Sequence, residues 1–296
     1  MQAILIFVVI AVGLFVPAAH ILTFLIRYNL MIMLFFSFLA IHFRKELIQK
    51  HHFFILLINI LLPLLLYQLI LPFDRTLAHT VFVIGIAPTA VVSPVISDFL
   101  KGNTAFVTTA VLITNPAIAL ILPFLLPWVI SVNSPIKVGE VLLPVAIVIL
   151  GPLFLSQFIK RFRSEWVSPL LSIRRISFYL FLLNVFIASA KASHYVRHDQ
   201  QTAWYVFAFM AIGVGILCLF QFLLGEQIGK KSYPIANSLS LGRKNTMFAI
   251  WVALTFLDPI VALGPMFYIL FQNAYNGFQM WQVEKKEKRN LPTEKK

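Results

Sequence analysis

Two stretches of this sequence place polar and helix-breaking residues where the surrounding chain is almost purely apolar. The first reads Gly85-Ile86-Ala87-Pro88-Thr89-Ala90-Val91-Val92-Ser93-Pro94-Val95-Ile96-Ser97-Asp98. The second reads Ser238-Leu239-Ser240-Leu241-Gly242-Arg243-Lys244-Asn245-Thr246. Pro88 and Pro94 each remove a backbone donor and push the preceding residue away from helix. A helix that stops near Pro88 and restarts with Pro94 in its first turn, where proline is welcome, satisfies both. In the second stretch Gly242 marks the break, and Arg243 and Lys244 set two adjacent positive charges inside an apolar block.

The chemistry on offer is ion binding. Helix restarts near Pro94 and Asn245 would aim positive dipole ends inward at an anion, and the helix ends before each break would offer carbonyls to a cation. The substrate-binding candidates are therefore Ser93, Ser240, Arg243, Lys244, Asn245 and Thr246, together with Asn115 beside Pro116 and Asn237 before the second break. Asn115 and Asn237 also fit a plainer role, since such residues commonly join membrane helices by hydrogen bonds. Asp98 is the one carboxylate in the first stretch and the candidate charge partner of Lys244 or Arg243; Lys101, three residues on, is its alternative partner. His194 and His198 share the i, i+4 spacing of a metal pair, but a solvated loop on the outer side accounts for them as well.

These residues need elements that can hold them in lipid. The chain has 296 residues, 60% hydrophobic, 29 of them Phe, and only 12% charged. Soluble domains carry about 25% charged residues. The apolar residues come in blocks long enough for a helix to cross about 30 Å of hydrocarbon, near 2–19, 22–42, 53–72, 79–99, 104–132, 139–159, 176–191, 204–226, 233–256 and 259–282. The alternation of a membrane barrel is absent from the pattern. The first block ends in a Val16-Pro17-Ala18 stretch that resembles a cleavage site, but it has no basic residue before Arg27, so it reads as a first span rather than a signal peptide. The expectation is an all-α polytopic membrane protein with ten spans in one transporter domain, 1–282, and a basic cytoplasmic tail, 283–296, unstructured from Glu284.

Net charge is +13, and it is spread unevenly. Even-numbered loops and the tail hold 17 of the 24 basic residues, among them Arg44, Lys45, Lys295 and Lys296, and odd-numbered loops hold five. Arg243 and Lys244, inside the ninth block, are the remaining two. The positive-inside rule then puts even loops and both termini in the cytoplasm, which explains the basic balance without nucleic acid. The protein is expected in the plasma (inner) membrane, with the bilayer as its partner. Ten spans divide into repeats of about 1–132 and 139–282. Five is odd, so the second repeat would start on the opposite side, the parity of an inverted repeat. The two broken stretches fall in spans four and nine, the corresponding positions. Paired interruptions of this kind point to a transport site. Two simpler readings compete with it. A proline pair also fits a packed kink. Arg243 and Lys244 fit a cytoplasmic loop if span nine begins only at Asn245, which leaves 245–256 too short to cross.

At these segments the chain resembles the bile acid:sodium symporter family. The resemblance rests on Ala87-Pro88, Ser93-Pro94, Ser97 and Lys101-Gly102-Asn103 in the first half, on Ser240-Leu241-Gly242-Arg243-Lys244-Asn245-Thr246 in the second, and on Gln272-Asn273-Ala274-Tyr275-Asn276-Gly277 in span ten. It implies inverted five-helix repeats, with helices four and nine broken and crossing at mid-membrane. It also exposes departures. Where the family's pattern has sodium ligands, this chain has Pro94, Ser240 and Lys244, with Val107 and Val111 in place of hydroxyls in span five; Ser93 alone remains a candidate ligand. Lys244 is expected to take the space and charge of the sodium ion. Desolvation makes a buried ammonium easier to deprotonate, so the same lysine could also carry a coupling proton.

The sequence shows no zincin, nucleophile-elbow or aspartate-pair pattern, and its single cysteine, Cys218, excludes an intramolecular disulfide. No cofactor, metal or enzymatic activity is expected. The functional expectation is a secondary transporter of a small organic anion, without sodium coupling, by uniport or with protons. Its alternative is a membrane sensor or scaffold that kept a transporter fold and lost transport.

Overall fold

The computed structural model of the protein describes residues 2–41, 48–130, 137–198 and 204–290. The loop and tail positions Arg44, Lys45, Lys295 and Lys296 lie outside the described residues. Thirteen α-helices run in order through the described residues. The first half contains α1 (Gln2–Phe15), α2 (Leu25–Ala40), α3 (Lys50–Ile70), α4 (Arg75–Ile86), α5 (Ser93–Phe99) and α6 (Thr104–Ile130). The second contains α7 (Val138–Phe162), α8 (Val167–Ser172), α9 (Ile176–His198), α10 (Trp204–Gly229), α11 (Pro234–Gly242), α12 (Thr246–Phe256) and α13 (Leu263–Asn290). A 3-10 helix, Pro17–Phe24, leads directly into α2.

Among the described residues, six helices are long and apolar enough to cross a membrane: Pro17–Ala40, Lys50–Ile70, Thr104–Ile130, Val138–Phe162, Ile176–His198 and Tyr205–Gly229. They correspond to the apolar blocks two, three, five, six, seven and eight. The other four blocks differ for identifiable reasons. α1 is 14 residues long. Blocks four and nine are each split into two short helices, α4 with α5 and α11 with α12. α13 is long, but Gln272, Asn273, Asn276 and Gln279 interrupt its apolar sequence. It also continues through Asn290, so the stretch from Glu284 to Asn290, expected to be unstructured, is helix.

The chain is an all-α integral membrane protein. Its polarity is arranged for lipid: Phe124, Phe154 and Phe209 on the outside are more than half exposed, while Asn59, Thr89, Asn115, Gln221 and Lys244 are fully enclosed. Helix packing follows matched sets. α1 packs on α9, and α7 on α2. α3 packs on α4, and α10 on α11; α5 packs on α6, and α12 on α13. The cross-half contacts match too: α4 with α10 and α11 with α3, α6 with α11 and α13 with α4, α5 with α11 and α12 with α4. In each set the second pair is the first with every element replaced by its counterpart five blocks along. Asn29 on α2 donates to Asn184 on α9 at 2.8 Å, a buried amide pair between blocks two and seven.

Candidate functional site

The two broken stretches meet. Ala87–Val92, between α4 and α5, crosses Arg243–Asn245, between α11 and α12, and Thr89 and Lys244 form an antiparallel bridge. The Ala90 amide donates to the Arg243 carbonyl, and the Asn245 amide donates to the Pro88 carbonyl, both at 2.8 Å. Each break thus supplies the partners that the other lost with its helix, which is how irregular backbone survives at membrane depth. Pro94 sits in the first turn of α5 as expected. Asn245 caps α12, its side chain accepting from the Phe248 amide at 3.2 Å.

The adjacent helices complete the pairing. The Thr89 amide donates to the Thr114 hydroxyl on α6 at 3.1 Å, and the Lys244 amide donates to Gln272 Oε1 on α13 at 3.1 Å. Asn115 Nδ2 donates to the Thr89 carbonyl at 3.1 Å and to the Val111 carbonyl at 2.9 Å. Side chains from the crossing then reach the opposite half-helix. Thr89 Oγ1 donates to the Ser240 carbonyl near the end of α11 at 2.6 Å. Lys244 Nζ donates to the Gly85 carbonyl near the end of α4 at 2.7 Å and to Asn59 Oδ1 on α3 at 2.6 Å. The ammonium therefore occupies the negative end of the α4 dipole, where a cation is favoured, and satisfies one of the carbonyls that a helix end leaves over.

Arg243 points the other way. It is 7% exposed, and its NH1 and NH2 donate to Asn276 and Asn273 on α13, the latter at 3.2 Å. Its Nε is buried without a partner. The reading of Arg243 and Lys244 as a cytoplasmic loop is corrected by this burial and by α11, which precedes them within the core.

Several expectations change. Asp98 does not pair with either cation: α5 turns Ser93 and Ser97 inward and leaves Asp98 exposed. Ser93 Oγ is buried and has no hydrogen-bond partner. Ser240 spends its hydroxyl on the Ala236 carbonyl in its own helix, at 2.7 Å. Thr246 is buried at the start of α12. Asn237 lies away from the crossing, where its Nδ2 donates to the Tyr233 carbonyl at 2.9 Å. Gly242 has no left-handed φ; it is required because a Cβ there would sit 2.4 Å from the Phe222 ring. His194 and His198 belong to α9 rather than to a loop, and His194 stacks on His20 with centroids 3.7 Å apart. Among the described residues no group of His, Cys, Asp and Glu side chains is arranged to hold a metal ion.

Thr114, next to Asn115 in span five, was a polar candidate in the sequence; Asn59, Gln221 and Tyr268 were not. Each of these three is a single polar residue in an apolar block, and only the fold brings it to the crossing. Tyr268 Oη lies 2.6 Å from the Gly242 carbonyl and 2.8 Å from the Gln221 amide. A phenol has one hydrogen. That hydrogen serves either the Gly242 carbonyl at the end of α11 or Gln221 Oε1, the two acceptors within its reach. Tyr268→Phe is expected to destabilise the protein by about 1–3 kcal/mol, the cost of an orphaned buried acceptor; a thermal midpoint in detergent equal to that of the wild type would show that the hydroxyl does not hold the break. No family model matches the chain, and no curated protein matches it.

Proposed function

We propose that the protein is a secondary transporter of a small organic anion that works by alternating access without sodium. The observation that carries the reading is the crossing of two broken helices at which Lys244 Nζ sits on the Gly85 carbonyl and Asn59. An ammonium at the end of a half-helix does the electrostatic work of a bound cation while remaining part of the chain. Burial of Arg243 beside it, with a free Nε donor, supplies the charge that would hold an anion.

Ten spans and inverted five-helix repeats go with this reading. They are supported by the matched packing sets, which exchange blocks one to five for six to ten, and by the paired breaks. The resemblance to the bile acid:sodium symporter family at the same segments points the same way, with both termini in the cytoplasm from the loop charges. The scaffold reading is favoured by one feature, the complete enclosure of Lys244. Uptake of a panel of radiolabelled organic anions into liposomes separates the two. Concentrative or facilitated flux that is indifferent to sodium is the expected result; sodium-stimulated flux overturns the lysine reading, and no flux of any anion leaves the scaffold.

A further inference from the structure

One stripe of α1 has no helix packed on it. α1 lies against α9 and the 3-10 helix that leads into α2. Phe7, Ile10 and Leu14, at i, i+3 and i+7, line instead a crevice of about 490 Å³. A second wall comes from α13, where Leu263, Phe267 and Leu270 form a stripe at i, i+4 and i+7. Residues of α9 and α10 complete the lining. Phe7 and Leu14 are exposed, so the crevice reaches the surface of the bundle.

Only Ser193 and Arg197, both on α9, interrupt this apolar lining. Ser193 Oγ donates to the Leu14 carbonyl at 2.7 Å and has no second hydrogen to offer. Water settles in a cavity only where several polar groups hold it, so the crevice suits hydrocarbon better. Arg197 is exposed, and its NH2 donates to the same Leu14 carbonyl at 3.2 Å. That carbonyl lies in the last turn of α1, where the helix dipole favours a cation. The dipole accounts for the charge but not for the crevice beside it. NH1 and Nε of Arg197 make no hydrogen bond among the described residues, which leaves most of the fork open to an anion. α1 and α9 carry no Asp or Glu, and Lys191 on α9 adds a second positive charge.

We propose that this crevice binds a long-chain carboxylate, with its chain between the α1 and α13 stripes and its head on Arg197. Arg197 is part of the crevice wall, so the charged head must join the chain directly. A fatty-acid carboxylate does so, and it matches the guanidinium fork with two parallel hydrogen bonds. The phosphate of a phospholipid is set apart from its chains by glycerol and does not. No residue of the crossing lines the crevice. The site is therefore separate from the proposed transport site and does not rest on the transport reading.

The test is a titration of the purified full chain in detergent, read by native mass spectrometry and by the thermal midpoint. Palmitate is the probe; hexadecanol, the same chain without the charge, and phosphatidylglycerol are the comparisons. Palmitate should appear on the wild type as a single adduct and raise the midpoint in step with its concentration. Hexadecanol should bind about tenfold more weakly, or worse, for want of the charge-assisted hydrogen bonds. Arg197→Gln should bring palmitate down to the level of hexadecanol and leave hexadecanol binding unchanged. Ile10→Trp, which fills the crevice from the α1 wall, should abolish the binding of both. Equal binding of palmitate and hexadecanol by the wild type overturns the proposal, and that comparison needs no variant. Palmitate binding at full strength in Arg197→Gln overturns it too, as does palmitate binding that survives in Ile10→Trp, which would place the ligand elsewhere. Phosphatidylglycerol binding that exceeds that of palmitate and depends on Arg197 would assign the crevice to a phospholipid instead.

Discussion

Lys244→Ala is expected to lower the stability of the purified protein by about 2–5 kcal/mol, the range for emptying a buried long side chain, and to turn a sodium-indifferent protein into a sodium-sensitive one. Two effects oppose each other. Removing the ammonium relieves the penalty of a charge out of water. It also orphans the Gly85 carbonyl and Asn59 Oδ1, which lie 2.7 and 2.6 Å from Nζ, at about 1–3 kcal/mol each, and it opens a hole where Lys244 was fully enclosed. The second group is the larger. The acceptors remain after the side chain is gone, so a small monovalent cation can enter and restore part of the loss. Lys244→Met fills the same hole with no charge, and should show no such rescue. Thermal midpoints in sodium chloride against choline chloride measure this directly. A wild type stabilised by sodium, or Lys244→Ala and Lys244→Met responding alike, would show that the ammonium does not stand where a cation would bind.

The breaks were legible in the sequence because proline acts locally. Pro88 and Pro94 set the end of α4 and the start of α5 with no help from tertiary structure. The second break was legible from Arg243 and Lys244, since two charges in an apolar block have few affordable placements. The partners of these residues were not legible. Asn59, Gln272 and Thr114 come from three other helices, and nothing in an apolar block says which neighbour a single amide will face. Asp98 was the one carboxylate in the first stretch, but sharing a stretch with the break does not place a side chain at it. Ser93 and Ser97 share the inward face of α5 at i, i+4, and that geometry turns Asp98 outward. Glu226 was not legible either, because the Tyr275 and Gln279 side chains that donate to it come from α13, about fifty residues later in the chain.

Gly225→Ala and Gly277→Ala, the same substitution in two long helices, are expected to act in opposite directions. At Gly225 a Cβ would sit 2.6 Å from the Asn237 carbonyl oxygen and 2.7 Å from the Ser238 Cα. Both are backbone, so no rotamer change relieves the clash; α10 and α11 must part, and overpacking of this kind costs about 1–3 kcal/mol or more. The movement also draws Ser238 from Glu226 and shifts Gly242 against Phe222, so the crossing itself is disturbed. At Gly277 the added methyl meets nothing within 4 Å. There the change removes a glycine from a helix interior, worth up to about 1 kcal/mol in favour of the fold. Unfolding midpoints of the two variants should therefore bracket that of the wild type. Gly225→Ala at or above the wild-type midpoint would mean that the close approach of α10 to α11 does not hold the second break in place, and the positioning of Arg243 and Lys244 would need another cause.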